Sequence, residues 1–200
     1  MQAAQSSRAA SGAEHQFSHL WDMQHHQHEG VAPSHGFKVG IGTLASIALY
    51  EELLQQNFAN LDVDRAAEKW PSLASLEQRV TTLLGRGELA EKAIEETKAK
   101  YIPAGAAREQ LSRLRSVWPE LRNKLSRQLL PFAKVKAMLG TAGCAYEPEQ
   151  IGIFRDRLRQ SYEQALFIRR RFTVLDLAHR AGLLEESLDK IFGRGGAFGK

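Results

Sequence analysis

The sequence predicts an all-α fold, a bundle of short helices without a sheet. Three observations carry this expectation. Apolar residues recur at helical spacing along most of the chain, helix caps and stops punctuate it, and no run of alternating or β-branched residues reads as a strand. No Gly-x-Gly-x-x-Gly lies between a strand and a helix, and no internal repeat is visible, so no nucleotide-binding half is apparent.

In chain order, Ser11 with Glu14 three residues on fits a capping box at the start of a first helix. At 100° per residue, His15, His19, Asp22 and His26 line one face of that helix, opposite Phe17, Leu20 and Trp21. A loop with Gly30, Pro33 and Ser34 leads to a helix over 37–57 that is apolar all round and therefore buried. Gly40 and Gly42 inside it point to a close neighbour, either another helix or a ligand.

Asp62 caps a short helix ending near Trp70-Pro71, and Ser72 caps a helix through Leu84 that Gly85-Arg86-Gly87 stops. An amphipathic helix over 88–101 buries Leu89, Ala93, Ile94 and Thr97, then breaks at Pro103 and Gly105. A helix over 106–118 follows, with Pro119 as the first residue of the next one and Pro131 at its end. Two turns over 132–139 come before Glu147-Pro148, which opens a segment through Arg159, Leu166 and Ile168. A helix pair over 174–181 and 185–192 closes the fold. The domain expectation is one helical unit over 1–192 and a flexible glycine-rich tail over 193–200.

Two hundred residues suffice for one domain with a real core, and 43% hydrophobic with 25% charged residues is ordinary for a globular protein. No run of eighteen apolar residues predicts a transmembrane helix, and the N-terminus lacks the pattern of a signal peptide. Cys144 is the single cysteine, which excludes an intramolecular disulfide and suits a cytoplasmic location. Residues 1–100 hold 9 Lys/Arg against 13 Asp/Glu, and residues 101–200 hold 18 against 10. The basic second half suits an anionic partner, although a solvated arginine-rich helix surface has the same composition.

Six of the seven histidines fall between Arg8 and Leu44. Neutral imidazole is the commonest protein metal ligand, and His15 and His35 form the favoured pair, one in a helix and one at the mouth of the next. The intervening loop is long enough to bring them together, and Gly36 permits close approach. His25, His26 and His28 stand beside Glu29-Gly30 without apolar companions and are expected at the surface.

The stretch Ser11-Gly12-Ala13-Glu14-His15-Gln16-Phe17-Ser18-His19, with Ser34-His35-Gly36-Phe37-Lys38-Val39-Gly40-Ile41-Gly42-Thr43-Leu44, resembles the metal-binding region of the glycerol-1-phosphate dehydrogenases. These sit in the wider group of iron-containing alcohol dehydrogenases, glycerol dehydrogenases and dehydroquinate synthases. Ile168-Arg169-Arg170-Arg171-Phe172-Thr173-Val174-Leu175-Asp176-Leu177-Ala178 resembles a C-terminal segment of the same group.

The resemblance implies that this chain is the C-terminal helical, metal-binding domain, with the α/β domain that binds NAD(P) lying outside it. It implies His15 and His35 as two of three metal ligands, the third being an aspartate before the helical domain with no counterpart here. Zinc or nickel suits that set, iron less so. By position, Arg8 is the expected phosphate contact, His19 the substrate contact or proton relay, and Lys38 a second phosphate contact or a solvent-facing cation. The implied reaction is NAD(P)H-dependent reduction of dihydroxyacetone phosphate to sn-glycerol 1-phosphate, with the chain inactive by itself. A homo-oligomer is compatible with it.

Two other readings compete. Residues 173–184 have the small-residue and glycine spacing of a helix-turn-helix, but Glu185, Glu186 and Asp189 would meet DNA phosphates, so nucleic acid is not an expected partner. A stand-alone helical interaction module would expose the apolar helix over 37–57 and associate with itself.

Overall fold

A computed structural model describes residues 12–199, so Arg8 and the expected cap Ser11 lie outside the described residues. Those residues form ten α-helices and two short 3-10 turns. The helices are α1 (Ala13–Met23), α2 (His35–Gln55), α3 (Val63–Glu68), α4 (Leu73–Leu84), α5 (Glu88–Lys100), α6 (Ala104–Gln128), α7 (Phe132–Thr141), α8 (Arg155–Phe167), α9 (Val174–Arg180) and α10 (Leu184–Phe192). The fold is all-α. The only β geometry among the described residues is an isolated bridge between His28 and Val31.

Many helix starts are written in single side chains. Ser34 Oγ accepts from Phe37 N at 3.2 Å, Asp62 Oδ1 from Arg65 N at 3.0 Å, and Ser72 Oγ from Ser75 N at 3.2 Å. Each satisfies a backbone donor that the first helical turn leaves open. Thr173 and Asp176 exchange a capping box at α9. Gly85 and Gly87, both at positive φ, let the chain turn from α4 into α5.

Helix α2 is the axis of the fold. It packs against α1, α7, α9 and α10, and buries Ile41, Leu44, Ala45, Ile47, Ala48, Leu49 and Leu53. The close neighbour expected at Gly42 is α1: a Cβ on Gly42 would stand 2.5 Å from the Glu14 carbonyl oxygen and 3.1 Å from Glu14 Cα. Gly40 meets only ordinary contacts, from Leu139 and the Ala145 carbonyl at 3.6 Å. Gly36, expected to permit close approach, has open space around it.

Helix α8 locks this pair. The buried Phe17 ring meets Tyr162 edge-on at 4.9 Å, Trp21 Nε1 donates to Ser161 Oγ at 3.0 Å, and the Tyr162 hydroxyl donates to the Ala45 carbonyl at 2.8 Å. Each aromatic body is buried and each polar tip used, so the packing has a defined register. Helix α6 is peripheral by comparison, packing chiefly on α3 and the adjacent 3-10 turn Phe58–Asn60, with Trp118 against Phe58 at 4.3 Å.

Four expectations change. Helix α1 ends at Met23, where the Gln24 and His26 N–H groups turn back to the Leu20 and Trp21 carbonyls and His25 takes φ 51°. His26 therefore leaves the face shared by His15 and His19. Pro119 does not start a helix but sits inside α6. Pro119 and Arg115 are both exposed, so water can take the carbonyl that proline leaves unpaired.

The segment from Glu147 is not one helix. A 3-10 turn at Pro148–Ile151 ends at Gly152, whose left-handed φ of 71° and contact with the His28 ring leave no room for a Cβ. The tail expected to fray instead carries Phe198 to 1% exposure, between Phe132 at 5.3 Å and Phe192 at 5.7 Å. Phe198 N donates to the Ile191 carbonyl at 2.9 Å, and Gly196 and Gly199 lie too close to neighbouring carbonyls to accept a Cβ.

A second buried polar group joins α5 to α9. Lys100 Nζ reaches Asp176 Oδ1 at 2.8 Å and the Leu166 carbonyl, while Arg180 lies between the Trp70 and Phe172 rings at 5.2 and 5.0 Å. His179 stands beside this group against Trp70 and Phe167. Burial, then the neighbouring Lys100, Arg180 and Arg79 cations, lower its pKa from 6.5 to about 4 against the opposing pull of Asp176.

Two outcomes follow from this packing. Gly42→Ala forces α1 and α2 apart and lowers unfolding stability by about 1–3 kcal/mol. Gly36→Ala, on an open helical position, is neutral or stabilises by up to about 1 kcal/mol; urea unfolding of both variants checks the contrast. Because the folded His179 pKa is depressed, its contribution is complete above pH 6.5 and is lost as pH falls toward about 4, by at most about 3 kcal/mol. His179→Leu should flatten the fall in urea stability between pH 6.5 and 5; an unchanged slope contradicts this assignment.

Candidate metal centre

Helices α1 and α2 bring three imidazoles together. The His15 and His35 ring centroids are 5.5 Å apart, and His19 lies 6.2 Å from each. The arrangement follows from local sequence. His15 and His19 are four residues apart and so share a helix face, while Ser34 caps α2 and places His35 as its first residue. The Gly42 contact with Glu14 then sets one helix against the other at the residue preceding His15.

Two of these rings are oriented through Nδ1. His15 Nδ1 lies 2.9 Å from Glu14 Oε1, which also accepts from Gly12 N at 2.7 Å. A carboxylate only accepts, so a proton sits on His15 Nδ1, and this bond leaves Nε2 unengaged. His35 Nδ1 lies 3.1 Å from Oγ of the buried Ser18, which leaves its Nε2 unengaged as well. Anchoring one ring nitrogen while freeing the other is how proteins orient metal-bound histidine.

His19 is half-buried, with its pKa lowered first by burial and then by Arg169, against the opposing Asp22. It is therefore neutral at pH 7 and able to donate or accept a hydrogen bond. His15 and His35 are thus two potential nitrogen donors on neighbouring helices. No group of three or more His, Cys, Asp or Glu among the described residues is arranged to hold an ion by itself.

Other candidates are placed differently. Lys38 does not face solvent: at 5% exposure its Nζ pairs with Asp22 Oδ1 across the two helices. Arg8 lies outside the described residues. His25 is exposed and His28 half-buried, but His26 is not the surface residue expected. Its Nδ1 accepts from Arg157 Nη1 at 2.7 Å, so its Nε2 carries the proton and donates to the Ile151 carbonyl at 2.6 Å. Burial accordingly lowers its pKa. It is a structural histidine that ties the loop after α1 to α8.

Sequence reasoning takes Glu14 only as a helix-cap residue and gives Ser18 no role, whereas both orient imidazoles here. Both carry a signal in their spacing, since Glu14 adjoins His15 and Ser18 stands on the turn between His15 and His19. The helix pair α9 and α10 is packed into the core through Val174, Leu175, Ala178, Leu184, Leu188 and Ile191. Glu185 and Asp189 on α10 pair with Arg159.

The class so defined is an all-α domain with an oriented imidazole pair, and sequence comparison points the same way. The glycerol-1-phosphate dehydrogenase (NAD(P)+) of Geobacillus stearothermophilus is 30% identical over 172 residues, which is 84% of this chain and 32% of that protein. That of Geobacillus thermodenitrificans is 28% identical over 180 residues, 90% of this chain and 35% of the relative. One from Halalkalibacterium halodurans is 49% identical over 45 residues. The chain thus spans about a third of the length of the first two relatives. No protein-family profile and no solved structure matches it. No helix among the described residues is long and apolar enough to cross a membrane.

The pairing of Lys38 has a measurable consequence. Lys38→Met replaces a buried ammonium by an apolar chain of similar length and should change stability by less than about 1 kcal/mol. Asp22→Ala leaves the buried ammonium unpaired and should destabilise by more than that in the same urea titration.

Proposed function

We propose that this chain is the metal-binding helical part of an sn-glycerol-1-phosphate dehydrogenase, acting with a nucleotide-binding part outside these 200 residues. The observation that carries this reading is the His15–His35 pair, 5.5 Å apart with both Nδ1 atoms anchored, in a chain similar to enzymes of that name. Such an enzyme interconverts dihydroxyacetone phosphate and glycerol 1-phosphate with NAD(P).

In this reading His15 and His35 hold a divalent metal through Nε2, with zinc or nickel favoured by two imidazoles and a carboxylate from elsewhere. When bound, the ion supplies Lewis acidity for a carbonyl oxygen. Glu14 and Ser18 fix the ring planes, so little ordering is left for the moment of binding. His19, neutral at pH 7, is placed to hold a substrate hydroxyl or to relay a proton. The protein belongs, on this reading, to cytoplasmic phospholipid metabolism.

The test is metal titration of the chain by calorimetry, with zinc and with nickel. His15→Ala and His35→Ala should each weaken binding by at least about tenfold, and Glu14→Gln by about 10-fold or more. The chain alone should not oxidise NADH or NADPH in the presence of dihydroxyacetone phosphate. Wild-type metal affinity in either histidine variant, or turnover by the isolated chain, would overturn the reading.

A further inference from the structure

The far end of α2 borders a second concave feature, remote from the imidazole cluster. At about 1.5 Å per residue, Glu52 lies about 25 Å along the α2 axis from His35. There α2, α7 and the glycine-rich tail form an open cleft of about 860 Å³, within the range of about 300–1,000 Å³ usual for small-molecule sites. Phe132 and Tyr146 give it aromatic surface, and most of the remaining wall is alanine and glycine. Gly196 has no room for a Cβ beside the Lys190 carbonyl, so the tail presents backbone rather than side chain to this wall.

Three charged side chains line the cleft, and two of them are committed to the fold. Glu51 Oε1 accepts from Phe132 N at 2.8 Å, which fixes the start of α7. Lys136 pairs with Glu147 and stands over the Phe132 ring at 5.8 Å. Glu52 is half-buried and has neither a hydrogen-bond donor nor an ion-pair partner among the described residues. Lys190, the cation that acts on it, is itself paired with Glu186 at 2.6 Å. Burial raises the Glu52 pKa against the pull of Lys190, and Glu51 and Glu186 add to the rise. A partly desolvated carboxylate without a donor is costly, and a cation seated beside it offsets that cost.

We propose that this cleft is a second binding site, taking a small organic amine whose ammonium pairs with Glu52 and whose apolar body lies against Phe132 and Tyr146. The charge balance selects the sign of the ligand. Glu147 cancels the Lys136 charge, so the cleft keeps the two carboxylates of Glu51 and Glu52 and repels phosphorylated compounds. The walls select its body, because alanine, glycine and aromatic surface offers contact area with few hydrogen-bond partners. The site is independent of the imidazole cluster, and the inference does not rest on the proposed function.

Phenethylamine titrated into the full chain, followed by the amide NMR signals of Gly140 and Gly196, tests it, with phenethyl alcohol as the neutral match. The amine should give saturable shifts at both glycines and bind at least about tenfold tighter than the alcohol. Glu52→Gln should weaken the amine at least about tenfold while its amide spectrum otherwise matches the wild type, which shows the variant folded. His15→Ala should bind the amine as the wild type does. No saturation with the amine, equal affinity for amine and alcohol, wild-type amine affinity in Glu52→Gln, or loss of binding in His15→Ala overturns the proposal.

Discussion

The contact between Gly42 and the backbone of Glu14 is the constraint on which the rest of this structure depends. A Cβ at Gly42 would stand 2.5 Å from the Glu14 carbonyl oxygen, so the two helices approach as closely as backbone allows. That approach sets His15 opposite His35 and lets Ser18 reach across to the His35 ring. It also brings Lys38 to Asp22. Phe17, Trp21 and Tyr162 then hold the crossing from the α8 side with buried rings and satisfied tips. A site built on two helices locked in this way keeps its side chains in place before any ligand arrives.

Charge is distributed by the same logic. The cations nearest the core are neutralised by carboxylates or spread over aromatic faces, as with Lys38, Lys100 and Arg180. Unpaired buried charge is costly, so these groups are committed to the fold and unavailable to a ligand.

The sequence was most legible where a single residue determines local geometry. Asp62 and Ser72 mark helix starts because each side chain meets a backbone donor within its own turn, whereas the caps Ser34 and Thr173 are seen only in the structure. The pattern of α2 announced burial, and Gly42 announced a neighbour. What failed was non-local. The burial of His26 depends on Ile151 and Arg157, more than a hundred residues away, and that of Phe198 on Phe132 and Phe192. Pro119 reads as a helix start in sequence, yet it lies inside α6 because the carbonyl it orphans is exposed to water. Of the site, the histidines are visible as a motif, but the commitment of Lys38 to Asp22 is a property of packing.

The central claim is that His15 and His35 bind metal together through Nε2. Long-range nitrogen–proton correlation spectra of the histidine rings, recorded while zinc is added to the full chain, test it most directly. The predicted result is that Nε2 of His15 and of His35 move together into the metal-bound range while both Nδ1 atoms keep their partners. Coordination through Nδ1, or a response confined to His25 and His28, would contradict it.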